Sequence, residues 1–446
     1  MLAGPGALGL LPFDDVALSF RIGAIALGLI LFDGGLNTPL GVARRHAGPA
    51  IVLATVGVIV TAALVGVAAR LAGLAWRPAL LLGAIVSSTD AAAIFSVLRG
   101  GGIQTKERVG ATLELESGLN DPMAVILTLA AAEALATGRD PSVITGVLVL
   151  VQLAVGFVVG LAIALGARLL LLRLQPPAAG LYPLLTAALA CLAFGAATLA
   201  RGSGFLAVYV AGVGVGSARL PYRSAVLRVH DFLGWAAQVV MFIVLGLLVF
   251  PRRLLAVAPE GLAIALFLVF AARPVAVLAC LLPFRYPLRE IVTVAWGGLK
   301  GAVPIVLAVI PVLAGIPGAG RIFDVVFFVV LVSAVLQGST MAWLARRTGV
   351  GMPAPPPTAA TVEIVSTRPV NAELLTFDIG AASAVCGLPI SEIPFPAGSS
   401  AMLVVRGDEL VAPRGDTELR EGDQVYVFCR LEDRPFLQLV FGRSAE

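Results

Sequence analysis

The sequence predicts an all-α polytopic membrane protein that carries a small α+β domain at its C-terminal end. Three observations support that prediction. The 446 residues are 59% hydrophobic and only 13% charged, with a mean hydropathy of +0.98, whereas soluble domains carry about 25% charge. The apolar residues gather into stretches of the roughly 20 residues that a bilayer crossing needs. From about residue 360 the composition becomes that of a soluble protein, as in "RGDELVAPRGDTELREGDQVYVFCRLEDR". A chain this apolar cannot hide its surface in a soluble core, because even a large domain leaves much of its chain wet. A soluble enzyme and a disordered protein are therefore excluded for most of the length.

The apolar stretches fall at about 16–36, 49–74, 78–99, 110–137, 142–173, 181–200, 203–218, 227–250, 259–283, 289–313 and 321–345, about eleven spans. Prolines at 78, 141, 183, 221, 251 and 287 suit helix ends. If the spans alternate, one set of loops carries about twice the Arg and Lys of the other, Arg44, Arg45, Lys106, Arg108, Arg346 and Arg347 among them. The positive-inside rule puts the richer side, and with it the C-terminus, in the cytoplasm of a bacterial inner-membrane protein. Residues 1–15 have no basic start before an apolar run, so they are not a signal peptide. They read as the end of a helix and a loop.

Residues 348–360 read as a Pro-rich linker. In the soluble tail over 361–446, "TVEIVST", "AMLVVRG" and "QVYVFCR" read as strands separated by Gly- and Asp-bearing turns. The net charge of +4 comes with no basic-aromatic stripe, so no nucleic-acid partner is expected. Cys191, Cys280, Cys386 and Cys429 lack CxxC spacing and read as free thiols. No HExxH, GxSxG or P-loop motif is present, and no cofactor is expected. His46 and His230 read as histidines in or beside cytoplasmic loops.

Ionisable residues inside spans are costly and mark function by default. Here they are Asp33, Asp90, Glu114, Glu116, Asp121, Glu133, Arg273 and Lys300. Ser87, Ser88, Thr89 and Asp90 interrupt an apolar run, and such side chains compete with helical hydrogen bonds. An unwound segment there would offer hydroxyls and carbonyls, hard oxygen ligands that suit an alkali cation. The alternative is a plain helix N-cap at Asp90. Glu116 and Asn120 share a helix face, while Asp121 is turned about 140° from Glu116. A buried carboxylate can hold a proton or a cation. Arg273 is the natural partner for Glu116 in a structural ion pair. Glu114 and Glu133 also suit the aqueous ends of their helices, and Gly34 and Gly35 could end the helix at Asp33. Lys300 sits among Gly297, Gly298, Gly301 and Pro304, a second break in a late span. It could neutralise carbonyl ends or snorkel. Paired broken helices, one early and one late, point to an inverted-repeat transporter with a midplane site.

"SSTDAAAIFSVLRG", "ERVGATLELESGLNDPMAVILTL", "ARPVAV" and "WGGLKGAVPIVLA", in this order, resemble the NhaP-type antiporters of the monovalent cation/proton antiporter superfamily. The nearest likeness is to the potassium/proton antiporter, or cell volume regulation, branch. The resemblance covers residues 1–347, and "GDELVAPRGDTELREGDQVYVF" in 361–446 resembles a TrkA-C (RCK C-terminal) domain. It implies about thirteen spans in a dimerisation domain and a moving core, a homodimer, and two unwound helices that cross near the cation site. On that pattern the first one to two spans are missing, so that Met1 is an internal start or the chain a fragment. The resemblance makes Asp121 the carboxylate for cation or proton. Asn120 stands where electrogenic relatives have a second Asp, which implies electroneutral exchange. Thr89 and Asp90 line the site, Ser117 adds a ligand, and Glu116 pairs with Arg273. Lys300 replaces the family's usual Arg, keeping the charge without the bidentate fork.

The expected function is exchange of K⁺, or Na⁺, for H⁺ across the membrane, serving cation, pH and cell volume homeostasis. The expected partners are these ions, membrane lipid, a second copy of the chain, and a small regulatory ligand on 361–446. The alternative is a ligand-gated potassium efflux system. A third reading is a regulatory protein with an inert membrane anchor.

Overall fold

The computed structural model describes residues 13, 15–38, 40–138, 143–174, 178, 180–218, 222–353, 372–381, 383–407 and 409–442. The expected strand "TVEIVST", most of residues 1–15 and most of the Pro-rich linker lie outside the described residues. The chain divides into two compact units, Met1–Ala218 with Ala225–Pro353, and Arg219–Ser224 with Ala354–Glu446.

The first unit is helical. Asp15 caps α1 (Val16–Asn37) through Leu18 N at 2.8 Å. The next span is α2 (Leu40–Val52) and α3 (Val58–Leu71), joined by a π-helical turn at Leu53–Gly57. Then come α4 (Trp76–Ile85) and α5 (Ala91–Gly100), separated by a non-helical break, and the long α6 (Glu107–Thr137). Next in the chain are α7 (Val143–Leu174), α8 (Leu181–Leu199), α9 (Gly204–Gly216) and α10 (Arg223–Leu247). The pattern of the early spans then returns. It comprises α11 (Pro251–Phe267), a π turn at Leu268–Ala272 and α12 (Arg273–Leu281); α13 (Leu288–Trp296), a break and α14 (Val303–Leu313); and α15 (Ala319–Thr348). Trp76 to Leu288, Ala91 to Val303 and Glu107 to Ala319 are each an offset of 212 residues, so three successive elements recur in one order.

Among the described residues, eight helices are long and apolar enough to cross a membrane. The other apolar stretches are the two interrupted helices and the short α9, so each stretch read from the sequence corresponds to a helix or an interrupted helix. The π turns show why hydropathy alone misplaces boundaries: they insert a residue without breaking the apolar run. Burial separates the helices by role. The most apolar window of α6 is 56% buried and that of α7 only 22%. α7 leaves Ile144, Leu150 and Val158 exposed, as suits a helix with apolar surroundings on its outer face.

One expectation is corrected here. Gly34 and Gly35 do not end α1, which runs on to Asn37. Gly35 lets α9 approach, since a Cβ there would lie 2.5 Å from Tyr209 O. A short ribbon closes the unit at one end: β1 (Ile103–Thr105) pairs antiparallel with β2 (Gly351–Pro353). Lys106 N also donates to Val350 O at 3.1 Å, and Arg346 Nη2 to Gly101 O at 2.8 Å.

The second unit is a four-stranded antiparallel sheet, β3 (Glu373–Asp378), β4 (Ser400–Arg406), β5 (Glu409–Val411) and β6 (Asp423–Cys429), in the order β3-β6-β4-β5. Leu437 and Phe441 of α16 (Arg434–Phe441) pack with Leu375, Phe377, Val404 and Val425 in one core. β4 and β6 coincide with "AMLVVRG" and "QVYVFCR". β3 was not read from the sequence, although Leu375 and Phe377 alternate inward as a strand should. Asp423 caps this unit electrostatically. Burial alone would raise its pKa, but the Arg406 guanidinium at 2.8–2.9 Å and Arg420 N at 2.8 Å outweigh it and hold the carboxyl below its usual range.

Candidate functional site

The two breaks meet. Asp90 N donates to Leu299 O at 2.8 Å, a backbone bond from one interrupted helix to the other. Residues 86–90 and 297–302 are non-helical because each holds residues that release the ladder. In the first, Ser87 Oγ turns back to Ala84 O at 2.6 Å, and Asp90 caps α5 by accepting from Ala93 N at 3.0 Å. Asp90 is thus an N-cap and a wall of the break at once, so the two sequence readings of this residue describe one geometry. In the second break the glycines supply clearance. A Cβ on Gly301 would overlap the Asp90 carboxylate, and one on Gly298 would sit 2.5 Å from Arg273 Nε.

Lys300 crosses from the second break into the first. Its Nζ donates to Ser88 O at 2.8 Å and Ser87 O at 3.4 Å, and the side chain is 1% exposed. A cation here neutralises carbonyls that the end of α4 leaves without helical donors. The Lys300 backbone is held in turn from α15. Lys300 N donates to Ser333 Oγ at 3.0 Å, Ser333 donates to Gln337 Oε1 at 2.5 Å, and Gln337 Nε2 donates to Trp296 O at 2.8 Å. Ser333 and Gln337 escaped sequence reading, although two polar residues at an i, i+4 spacing inside an apolar span were a usable signal.

The long helix α6 passes beside this crossing and brings three sequence-singled residues to it. Ser117 Oγ donates to Thr89 O at 2.9 Å and accepts from Ala91 N at 3.2 Å, so it bridges the break and the start of α5. Asn120 Nδ2 donates to Thr89 Oγ1 at 2.6 Å. Asp121 faces a cavity that Ser88, Thr89, Asp90 and Ser117 also line. Asp121 Oδ1, Asn120 Oδ1 and Ser88 Oγ are buried without a well-aligned hydrogen-bond partner, although the Ser88 side chain lies close to the Asp121 carboxyl. Buried oxygens left in this way are expensive unless an ion or water completes them. Pro122 removes a donor from α6 without breaking the helix.

Glu116 has a different environment. Arg273 Nη1 and Nη2 meet its two oxygens at 2.6 and 2.8 Å, with side-chain exposures of 2% and 0% for Arg273 and Glu116. The π turn at Leu268–Ala272 immediately precedes Arg273 and sets where its side chain leaves α12. This pair does not line the cavity. The geometry is that of a bidentate buried ion pair, which joins α6 to α12 and engages both Glu116 oxygens, while Arg273 Nε stays without a partner.

The cavity holds about 360 Å³ and reaches outward past Glu114, Asp33, Arg99 and Asp231. Asp231 and Arg99 are exposed, Asp33 and Glu114 half-buried, and Asp121 is 5% exposed, so accessibility falls steadily towards Asp121. Two placements differ from the sequence reading. Glu114 lines this cavity rather than the aqueous end of a helix, while Glu133 is exposed near the end of α6. His230 is not in a loop. It is buried within α10, with Nε2 2.8 Å from Thr186 Oγ1 and its ring 5.0 Å from that of Phe32. Tyr209, Asp231 and Thr38 were not singled out from the sequence, because nothing local distinguishes them from ordinary residues of helix ends and packing faces. Among the described residues no group of three or more His, Cys, Asp or Glu side chains could hold a resident metal ion.

With this geometry established, comparison with known proteins is informative. The family model for the sodium/hydrogen exchanger transmembrane region matches residues 1–347, and that for the TrkA-C domain matches 374–435. The K(+)/H(+) antiporter NhaP of Alkalimonas amylolytica is 41% identical across 100% of this chain and 78% of its own length. The K(+)/H(+) antiporter NhaP2 of Shewanella baltica (strain OS223) is 38% identical with the same coverage. The structure of the sodium proton antiporter MjNhaP1 from Methanocaldococcus jannaschii superposes with a TM-score of 0.68 at 24% identity, over 78% of this chain and 90% of that one. That likeness is one of fold.

Proposed function

The chain belongs to the sodium/hydrogen exchanger family, and we propose that it exchanges K⁺, or Na⁺, for H⁺ through Asp121. The observation that carries this reading is a buried carboxylate oxygen without a partner, at the floor of a cavity, where two interrupted helices cross. A deprotonated Asp121 there would be completed by a cation ligated with Asp90, Thr89 and Ser117 oxygens and by the break carbonyls. A protonated one needs no cation. Proton and cation then exclude each other, which is the requirement for exchange. With Asn120 rather than a second acid beside it, one charge moves each way and the exchange is electroneutral. The names of the relatives at 38–41% identity favour K⁺ over Na⁺.

Glu116 and Arg273 have a structural part in this reading, and Lys300 compensates the interrupted helices. The cavity opens to the cytoplasm, on the side with the richer Arg and Lys loops. The TrkA-C region sits on that side as a regulatory domain for a small ligand, and the membrane unit works in lipid as a homodimer.

The decisive experiment is dequenching of a pH-sensitive dye in vesicles that carry the chain, with pulses of K⁺, Na⁺ and Li⁺ and an Asp121→Asn control. A cation-driven signal that vanishes in the variant is expected, without current under voltage clamp. A signal that persists in Asp121→Asn would reject Asp121 as the exchange site, and a K⁺ current would replace exchange by gated efflux.

A further inference from the structure

We infer that Glu114 forms a second, outer station for a monovalent cation, together with Thr38 Oγ1 and Tyr209 Oη, on the way from the cavity mouth to Asp121. The inference deepens the exchange reading and rests on it for the identity of the ion. Glu114 lies seven residues before Asp121, two turns along α6, and both line the same cavity. Among the described residues no Lys or Arg forms an ion pair with it, in contrast to Glu116 two positions on. Arg99, whose charge is felt at Glu114, lines the cavity and is exposed, as is Asp231, and Asp33 there is half-buried. The cavity wall therefore carries more negative than positive charge before Asp121 is counted.

Two details suit a positive ion at this place. Thr38 Oγ1 lies 2.7 Å from Gly34 O and 3.3 Å from Glu114 Oε1. A hydroxyl has one hydrogen, and the shorter contact takes it. Glu114 Oε1 then receives only a weak, shared hydrogen from Thr38, which leaves its charge open to a cation. Independently, Tyr209 Oη is buried beside Glu114 without a well-aligned hydrogen bond, its one hydrogen-bonding neighbour being the Thr38 side chain. Its ring rests on Gly118, where a Cβ would overlap it, and Gly118 lies on α6 between Glu114 and Asp121. The Tyr209 ring thus packs on α6 between the two carboxylates in sequence, with its phenol oxygen near Glu114. A carboxylate, a hydroxyl and a phenol are hard oxygen donors, matched to an alkali cation that has shed part of its water. The station would raise the local cation concentration next to Asp121 without competing for its proton.

The test uses Rb⁺ as probe in place of K⁺. Purified full-length Asp121→Asn protein is expected to retain Rb⁺ binding, weakened at least about tenfold when Glu114→Gln is added, as loss of a half-buried charge implies. In the vesicle assay Glu114→Gln alone is expected to raise the apparent KM for K⁺ about five- to tenfold, well beyond any fall in maximal rate. Glu114→Asp should recover part of that rise, and Tyr209→Phe should raise KM about two- to threefold. If Asp121→Asn protein fails to fold, Rb⁺ stoichiometry decides instead, with two expected per wild-type chain and one per Glu114→Gln chain. A single site in both, or an unchanged KM in Glu114→Gln, would overturn the station. So would a Glu114→Gln protein whose rate and thermal stability fall at constant KM, because Glu114 would then only tie α6 to α1. Absence of exchange by the wild type would sink the exchange reading alone, since the Rb⁺ measurements do not depend on transport.

Discussion

The two interrupted helices stand at corresponding places in the repeat, yet they carry opposite chemistry. The constant offset of 212 residues pairs Ser88 with Lys300, Asp90 with Ala302, and Asp121 of α6 with Ser333 of α15. The first break therefore presents hydroxyls, carbonyls and a carboxylate cap, with an acid on the helix beside it. The second presents glycines and one ammonium group, with a serine on the helix beside it. A symmetric scaffold lets both breaks reach one point, and the substitutions at equivalent positions make the site acidic on one side and compensated on the other. Neither half would serve alone. The first would be an uncompensated cluster of acceptors, and the second a buried cation with nothing to neutralise.

That comparison can be broken most severely at Lys300. Lys300→Ala leaves the Ser87 and Ser88 carbonyls without a charged donor, beside Asp90 and Asp121. A loss of about 3–5 kcal/mol in stability is expected, as when one partner of a buried charge group is removed, together with loss of exchange. Thermal unfolding in detergent and the dye assay read both, and Lys300→Arg should retain most of the stability if charge is what matters. Next comes Gly301→Ala, whose Cβ would overlap the Asp90 carboxylate. Overpacking of this kind costs about 1–3 kcal/mol, and the displaced cap should cut the maximal exchange rate more than it raises KM. An unaffected rate would show that the Asp90 position is not critical.

Smaller changes sharpen the contrast between ligand and support. Thr89→Val removes the acceptor for Asn120 Nδ2 and leaves a buried amide donor unpaired, about 1–3 kcal/mol by the usual penalty, with a raised KM for K⁺. Ser333→Ala, at the position equivalent to Asp121, takes the partner from Lys300 N and should cost about 1 kcal/mol with KM unmoved. Equal KM shifts in these two variants would contradict the division of labour between the breaks. The smallest effect lies outside the membrane unit and gives a reference for charge near water. The Asp423 carboxyl is held below its usual pKa by Arg406 and Arg420, so the carboxylate contributes stability above the unfolded-state pKa of about 3.9. That contribution disappears as pH falls through the lower folded value. Hydrogen exchange of β6 in the full chain should quicken over that acid range, and Asp423→Asn should remove the pH dependence of the difference.

Much of this was legible before any packing was known. The apolar stretches, both breaks and the isolated charges stand out because each violates or satisfies a rule with a short reach along the chain. Asp90, Asp121 and Lys300 are conspicuous in hydrocarbon whatever surrounds them. Glu114 was ambiguous for the opposite reason, since a carboxylate seven residues from Asp121 can face water or the cavity with the same sequence around it. Tyr209 and Thr38 gave no signal at all, because their contact with Glu114 spans elements far apart in the chain. His230 was misplaced in a loop because basic neighbours such as Arg228 outweigh the burial that α8 and α1 supply.

Hydropathy and composition determine that the chain crosses a membrane many times and ends in a soluble sheet, because the cost of burying polar backbone and charge is paid segment by segment and depends only on local sequence. Tertiary packing decides which carboxylate is paired and which is left open. Glu116 and Asp121 are five residues apart on one helix, and only the direction from which α12, with its π turn, and the two breaks approach α6 gives the first a guanidinium and the second a cavity. Coulomb and hydrogen-bond energies change steeply over an ångström, a distance that no pattern along the chain encodes.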